Sequence, residues 1–300
     1  MNTILVTGAT GQLGKEVVNL LLNKTTAANI SVLVRDASKV ADLKAKGVDI
    51  RIGSYDDYNT LVSAFKGIDK LYFISGSEIS NRAQQHENVI AAAKEAGVQH
   101  VIYTSFMRKN DSASSPIAMI AASHINTEKK LRDSGLQYTI LKHTIYMDML
   151  PIFLGEKLLE TGVAYLPAGD GKVAFTLRSD MAAVGAAILT THGHENKVYD
   201  ITNEQAVTLQ DIANDISEIT GKLISYESPT NEEYIETLTN AGVPKGYVHM
   251  FAGFAEAFKQ GEMDETNHTI KELTGLTPTT VKDYLQQVYV AFKVSSEATV

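Results

Sequence analysis

With 300 residues, 44% of them hydrophobic, the chain can bury a core large enough for one big α/β unit or a domain with a smaller companion. Zero cysteines exclude disulfides, thiolate metal sites and cysteine nucleophiles. A net charge of −8 with no block of Lys and Arg speaks against a nucleic-acid surface, because phosphate binding needs clustered cations. The sequence has no apolar run of the roughly 18 residues a membrane span needs, and no basic stretch with an apolar signal core after Met1. The expectation is a soluble, cytoplasmic protein with a small-molecule partner and no membrane or nucleic-acid partner.

Short Val/Ile/Leu runs recur at Ile4–Thr7, Ile30–Val34, Val48–Ile52, Leu71–Ile74, Val101–Thr104 and Tyr138–Leu141. Between them lie stretches with helical spacing, such as Leu13, Val17, Leu20 and Leu21, or Val89, Ala92, Ala93 and Ala96. Strands alternating with helices predict a parallel sheet covered on both faces, since parallel strands need crossover helices. Gly97 and Gly135 stand where helices should stop, and all six prolines lie at or beyond Pro116. The first lobe therefore reads as compact βα repeats over residues 1–150, with a second lobe over 151–300. Beyond the boundary a helix is expected from Ser179-Asp180 to Thr190, a strand at Val198–Thr202 and a helix at Leu209–Ile219. The segment 172–202 is expected to return to the first sheet. Residues 230–292 read as mostly helical with a break at Gly242–Gly246, and Ser295–Val300 as a frayed tail.

The opening strand runs into GATGQLG, so Gly8, Gly11 and Gly14 sit between a strand and an amphipathic helix. Glycines there allow a tight turn, let backbone amides reach a pyrophosphate and bring the helix close to the sheet, while the helix N-terminus favours negative charge. This predicts a dinucleotide cradle. Arg35 follows the second strand, 21 residues beyond Gly14, where an acidic residue would hold the ribose hydroxyls of NAD. A guanidinium there suits a 2′-phosphate, so NADP(H) is the expected cofactor. Asp36 competes: a register shifted by one residue would make it a ribose acceptor, and its other role is a cap for the helix from Ser38. Lys39 could add charge near the phosphate.

Several segments together carry a resemblance: GATGQLG, LVR after the second strand, FISGSE at 73–78, AAKEAGVQHVIYTS at 92–105, HINTEK at 124–129, SGLQYTIL at 134–141 and GHENKVYDIT at 193–202. Over almost its whole length the chain resembles the NmrA-like atypical short-chain dehydrogenases, especially bacterial NADPH-dependent quinone oxidoreductases and triphenylmethane-dye reductases. The resemblance implies a doubly wound α/β Rossmann fold with a smaller, interwoven C-terminal lobe. It implies that Gly8, Ala9, Thr10, Gly11, Gln12 and Leu13 bind the pyrophosphate and that Arg35 meets the adenosine phosphate. It places Ser75, Gly76 and Ser77 beside the cofactor, and His143, Thr144, Ile145, Tyr146, Met147 and Asp148 along the nicotinamide.

Most short-chain dehydrogenases use a Tyr and a Lys four apart on one helix to protonate the product. By the TEK…SG landmark those positions are Ile120 and His124 here, so the acid is missing. Tyr138 and Lys142 fall on a predicted strand, where four residues span about 13 Å. Tyr289 and Lys293 fall on the last predicted helix, in the other lobe. A ketone taking hydride needs an acid, but a quinone yields a phenolate, whose conjugate acid titrates at about 10 and can take its proton from water. A cationic triarylmethane needs no proton. Quinones and related dyes, azo dyes included, are thus the acceptors such a site can still reduce.

The resemblance implies an Arg-Asn pair where Lys142-His143 stands here, so His143 is a departure from it. It is a candidate proton donor or orienting group, because imidazole titrates near neutrality, and equally a packing residue. Tyr146 is a candidate pocket wall stacking on nicotinamide or acceptor. Ser105 and His124 are weaker candidates, and the HxH of His192 and His194 reads as a surface turn, so no metal is expected. Met147, Met149, Leu150, Ile152 and Phe153 form an apolar cluster bordering the acceptor or the core. Tyr247, Met250, Phe251, Phe254 and Phe258 could cover the pocket, form a homodimer face or join the core. The reductase reading competes with a regulatory protein that senses NADP redox state without turnover, and with a sugar-nucleotide epimerase, which the lost Tyr-Lys pair disfavours.

Overall fold

The computed structural model describes residues 2–297. Its main sheet has seven parallel strands: β1 (Ile4–Val6), β2 (Ile30–Val34), β3 (Asp49–Ile52), β4 (Lys70–Phe73), β5 (His100–Phe106), β6 (Gln137–His143) and, after the short pieces β7 (Val163–Tyr165) and β8 (Lys172–Val173), β9 (Lys197–Ile201). The spatial order is β3-β2-β1-β4-β5-β6-β9, which reverses direction between β1 and β4. Ligands of open α/β sheets settle at that reversal, outside the carboxyl ends of the strands. All the residues of β1, β2 and β4 are buried, as expected of strands covered on both faces.

Helix α1 (Gln12–Leu22) buries Leu13, Val17, Val18 and Leu21 on the sheet, each side chain contributing about 1.5–3 kcal/mol. After α2 (Ala41–Ala45), helices α3 (Tyr58–Phe65), α4 (Arg82–Ala96) and α5 (Ala118–Asp133) pack side by side on the opposite face. Gly97 ends α4 in a left-handed conformation, φ 78°. Beyond α6 (Leu150–Leu154) and α7 (Leu158–Thr161), helix α8 (Arg178–Thr190) packs against α1, and β9 pairs with β6.

The remaining elements are β10 (Val207–Thr208), α9 (Leu209–Thr220), β11 (Ser225–Glu227), α10 (Asn231–Asn240), α11 (Lys245–Lys259), α12 (Thr269–Thr274) and α13 (Val281–Glu297). Reciprocal capping boxes start α9, between Thr208 and Asp211, and α10, between Thr230 and Glu233. Two small sheets, β7 with β11 and β8 with β10, close this part around Phe153, Phe175, Phe254 and Phe258. Of the expected tail, Ser295–Glu297 continue α13, whereas 298–300 lie outside the described residues.

Candidate functional site

Gly8 turns the chain out of β1 at φ +62°. The Gly11 amide donates to the Gly8 carbonyl at 2.9 Å, and a Cβ on Gly14 would stand 2.3 Å from that same oxygen. Only glycine lets α1 start this close to the turn. Gly11 caps α1 without any side-chain cap, so the first-turn amides are left for an anion, at the positive end of the helix. Thr10 completes this rim.

Gly8, Thr10 and Gly11 border a cleft of about 380 Å³ at the sheet reversal, and Arg35, Ser75, Gly76 and Ser77 border the same cleft. Asp36 does not: its carboxylate accepts from the Ser38 amide at 2.9 Å and the Ser38 hydroxyl at 2.7 Å, bonds that hold its pKa below the usual carboxylate value. The cap role is the one the structure gives it. The cleft also includes Gly53, Ser54, Tyr55 and Asp56, just past β3, which the sequence reading missed. Their signal was present, since GSYD follows the third predicted strand and the rule of carboxyl ends applies to it as well. Tyr55 donates to the Ile74 carbonyl at 2.8 Å and touches the Thr7 hydroxyl, and burial pushes its phenol pKa up.

The floor at the end of β4 is tied down from beneath. The Ser75 amide donates to Thr104 Oγ1 at 2.9 Å and the Gly76 amide to His86 Nε2 at 3.0 Å. Because Nε2 accepts, the proton of His86 sits on Nδ1, which faces Thr127 Oγ1 at 2.8 Å. Burial, helped by the Arg82 charge, pulls the His86 pKa down to about 3. His124 is buried in α5 between the Tyr103 hydroxyl, 2.7 Å from Nδ1, and Arg82, 3.2 Å from Nε2. Its partners are those of a polar core residue. Ser105 is buried too, its hydroxyl donating to Glu128 Oε1 at 2.5 Å rather than capping a turn.

The segment after β6 splits. His143 is 1% exposed, neither ring nitrogen has a partner, and burial pulls its pKa to about 3. Burial favours the neutral ring, which speaks against a charged imidazolium donor, and an orienting role is compatible with its free nitrogens. Thr144 is equally buried with an unpartnered hydroxyl. Ile145 and Met147 are core side chains of the C-terminal cluster, and Ala9 and Leu13 are core side chains under α1, so in all four only the backbone can meet a ligand. Gln12 is exposed at the start of α1.

Tyr146 is half-buried, with the Arg178 guanidinium 4.1 Å above its ring and the edge of His143 at 6.4 Å. Asp148 pairs with Arg178 at 3.5 Å and accepts its amide at 3.0 Å. Leu150 and Phe153 are core residues, whereas Ile152 is exposed; Phe254 and Phe258 are core and Tyr247 is exposed, its ring stacked on Phe251. Tyr138 and Lys142 both lie on β6. His194 contacts Thr191 and the Tyr199 hydroxyl. Among the described residues no helix is long and apolar enough to cross a membrane.

The family model of the NmrA-like family matches residues 1–285. The chain belongs to the NmrA-like family. It is 36% identical over 286 residues to quinone oxidoreductase 2 of Escherichia coli, covering 95% of this chain and 98% of that protein. The crystal structure of the E. coli enzyme complexed with NADPH matches with a TM-score of 0.88 over 95% of this chain and 99% of its own. Triphenylmethane reductase of Citrobacter sp., solved with NADP(H), matches with a TM-score of 0.87 at 35% identity, covering 95% of this chain and 99% of its own. An NAD(P)H azoreductase of Xenophilus azovorans is 29% identical over 293 residues, 96% of this chain and 99% of that protein.

Proposed function

We propose that the protein is a cytoplasmic NADPH-dependent reductase that passes hydride to a quinone or a related electron-poor aromatic acceptor, triarylmethane and azo dyes among them. The observation that carries this reading is the cleft at the sheet reversal: free helix-start amides on one wall, Arg35 on another, and Asp36, the carboxylate that follows β2, turned away to cap Ser38. The reductases of like sequence named above support the acceptor class.

Gly8, Thr10 and Gly11 hold the pyrophosphate, Arg35 the 2′-phosphate, and Ser75, Gly76 and Ser77 the nicotinamide end. His143, Thr144 and Tyr146 flank that end, and Asp148 acts through Arg178. When bound, the cofactor supplies the hydride. The chain supplies orientation, exclusion of water and no acid: Ile120 and His124 occupy the places of the usual phenol and ammonium, and His124 is neutral. The phenolate product takes its proton from water. Residues 1–150 with 172–202 form the cofactor-binding body, and the rest of 151–300 forms the acceptor lobe; the packing of α8 on α1 supports that division.

The test is anaerobic NADPH oxidation against a panel of quinones and cationic or azo dyes. Turnover with at least one acceptor is expected. NADPH binding without any turnover would sink the reductase reading in favour of a sensor of NADP redox state.

A further inference from the structure

Arg82 opens α4 with its side chain buried, the residue being 7% exposed. Its Nε donates to the Gly76 carbonyl at 2.6 Å, and Nη1 reaches Ser123 Oγ at 3.4 Å and His124 Nε2 at 3.2 Å. Among the described residues no carboxylate pairs with this guanidinium, and its Nη2 has no hydrogen-bond partner. A guanidinium cannot shed its charge. A largely buried cation without a counter-charge is costly, and an anion at the open Nη2 would offset that cost.

Its surroundings show where that partner would stand. Gly76 lies three residues beyond β4 and borders the cleft. His124, which receives the Arg82 hydrogen bond, faces Phe106 at the end of β5 with ring centres 6.0 Å apart. Tyr146, after β6, lies within electrostatic range of the guanidinium. Arg82 therefore sits under the carboxyl ends of β4, β5 and β6, the sector given above to nicotinamide and acceptor. The titratable groups that face it, His86, Tyr103, His124 and Tyr146, are all uncharged at pH 7, the histidines because burial lowers their pKa and the tyrosines because burial raises it.

We infer that Arg82, through its free Nη2 donors, stabilises the anion that forms on the acceptor as it takes hydride, supplying from α4 the positive charge that a lysine at position 124 would supply from α5. The inference rests on the reductase reading. A quinone gains one hydrogen and two electrons as the cofactor becomes NADP⁺; the product is the hydroquinone monoanion, which one proton from water converts to the hydroquinone. Negative charge grows on the quinone along this path, and a fixed cation in a dry site favours it. A triarylmethane cation instead loses its charge as it takes hydride, and the same guanidinium opposes its entry.

Two measurements on the full chain test this. In steady-state assays with 1,4-naphthoquinone and malachite green, Arg82→Gln is expected to lower the quinone-to-dye ratio of kcat about 100-fold, and Arg82→Lys to restore part of it. A purely structural clamp on Gly76 slows both acceptors alike, so an unchanged ratio overturns the inference. Without turnover, 4-nitrophenol titrated by absorbance in the NADP⁺ complex should ionise at a pH lower by about one unit or more in the wild-type protein than in Arg82→Gln. No bound signal, or the same ionisation in both proteins, overturns it too. A wild-type protein that reduces no acceptor of the panel would sink the reductase reading, leaving the charge at Arg82 to be judged by the nitrophenol titration.

Discussion

Arg35 and Asp36 are neighbours in sequence, and the difference between a phosphate and a bare ribose turns on which of them faces the cleft. Spacing alone left both open. The side chain of Asp36 settles on Ser38, in the short turn after β2, and of the two neighbours only Arg35 borders the cleft. Charge-assisted bonds of a guanidinium to phosphate are worth about 1.5–3 kcal/mol. Arg35→Ser should therefore weaken NADPH binding by roughly 10- to 100-fold while NADH binding changes little, as followed by nicotinamide fluorescence. Equal losses for both coenzymes would show that the guanidinium does not meet the 2′-phosphate. His143 was legible in the same limited way: its position after β6 could be read, but not the burial that makes it neutral, because burial depends on Tyr146 and on the strand's neighbours in space.

The strands and helices of the sheet were legible because covering both faces writes uninterrupted Val/Ile/Leu runs into β1, β2 and β4, and because α1 carries its apolar face at helical spacing. Many polar contacts beneath the cleft were not, since those of Arg82 with His124, His86 with Thr127 and Arg108 with Glu128 join residues 20 to 42 apart, whose meeting depends on how the elements dock. Glu128 is an example: it lies within HINTEK, yet nothing local marks its role. It accepts from Arg108 at 2.8 Å and from Ser105 at 2.5 Å, and Arg108 also holds the Phe106 carbonyl at 2.7 Å. The side chains of Arg108 and Glu128 are 1% and 5% exposed, so this pair fastens the connection from β5 to α5 out of contact with water. Removing one member strands the other charge, at a cost of about 3–5 kcal/mol. Glu128→Gln should approach the lower end of that range in urea unfolding, because Arg108 keeps Asp111. The double change Arg108→Met, Glu128→Leu should cost less than Glu128→Gln alone; a larger loss would mean that the pair is held for its attraction and not for its geometry.

At the scale of the whole molecule, four histidines titrate together with the fold. Burial pulls His86 and His143 to about 3 and His100 to about 4, and carries His124 well below its ordinary 6.5. In the unfolded chain each returns to about 6.5 and binds a proton that the native state refuses. Stability from these groups is complete above pH 6.5 and is lost as the pH falls from there toward the folded values near 4 and 3. Each histidine costs up to about 1.4 kcal/mol per pH unit in that window, or roughly 2 kcal/mol by pH 5. Four of them together rival the roughly 5–15 kcal/mol by which a domain is stable at all. The urea midpoint should therefore drop steeply between pH 7 and pH 5, well above the range where carboxylates titrate. His143→Asn should flatten the slope by about one proton, since an amide in that place has nothing to protonate. A midpoint indifferent to pH over this range would show that the histidines are not held neutral, and His86 and His124 would then add charge beside Arg82.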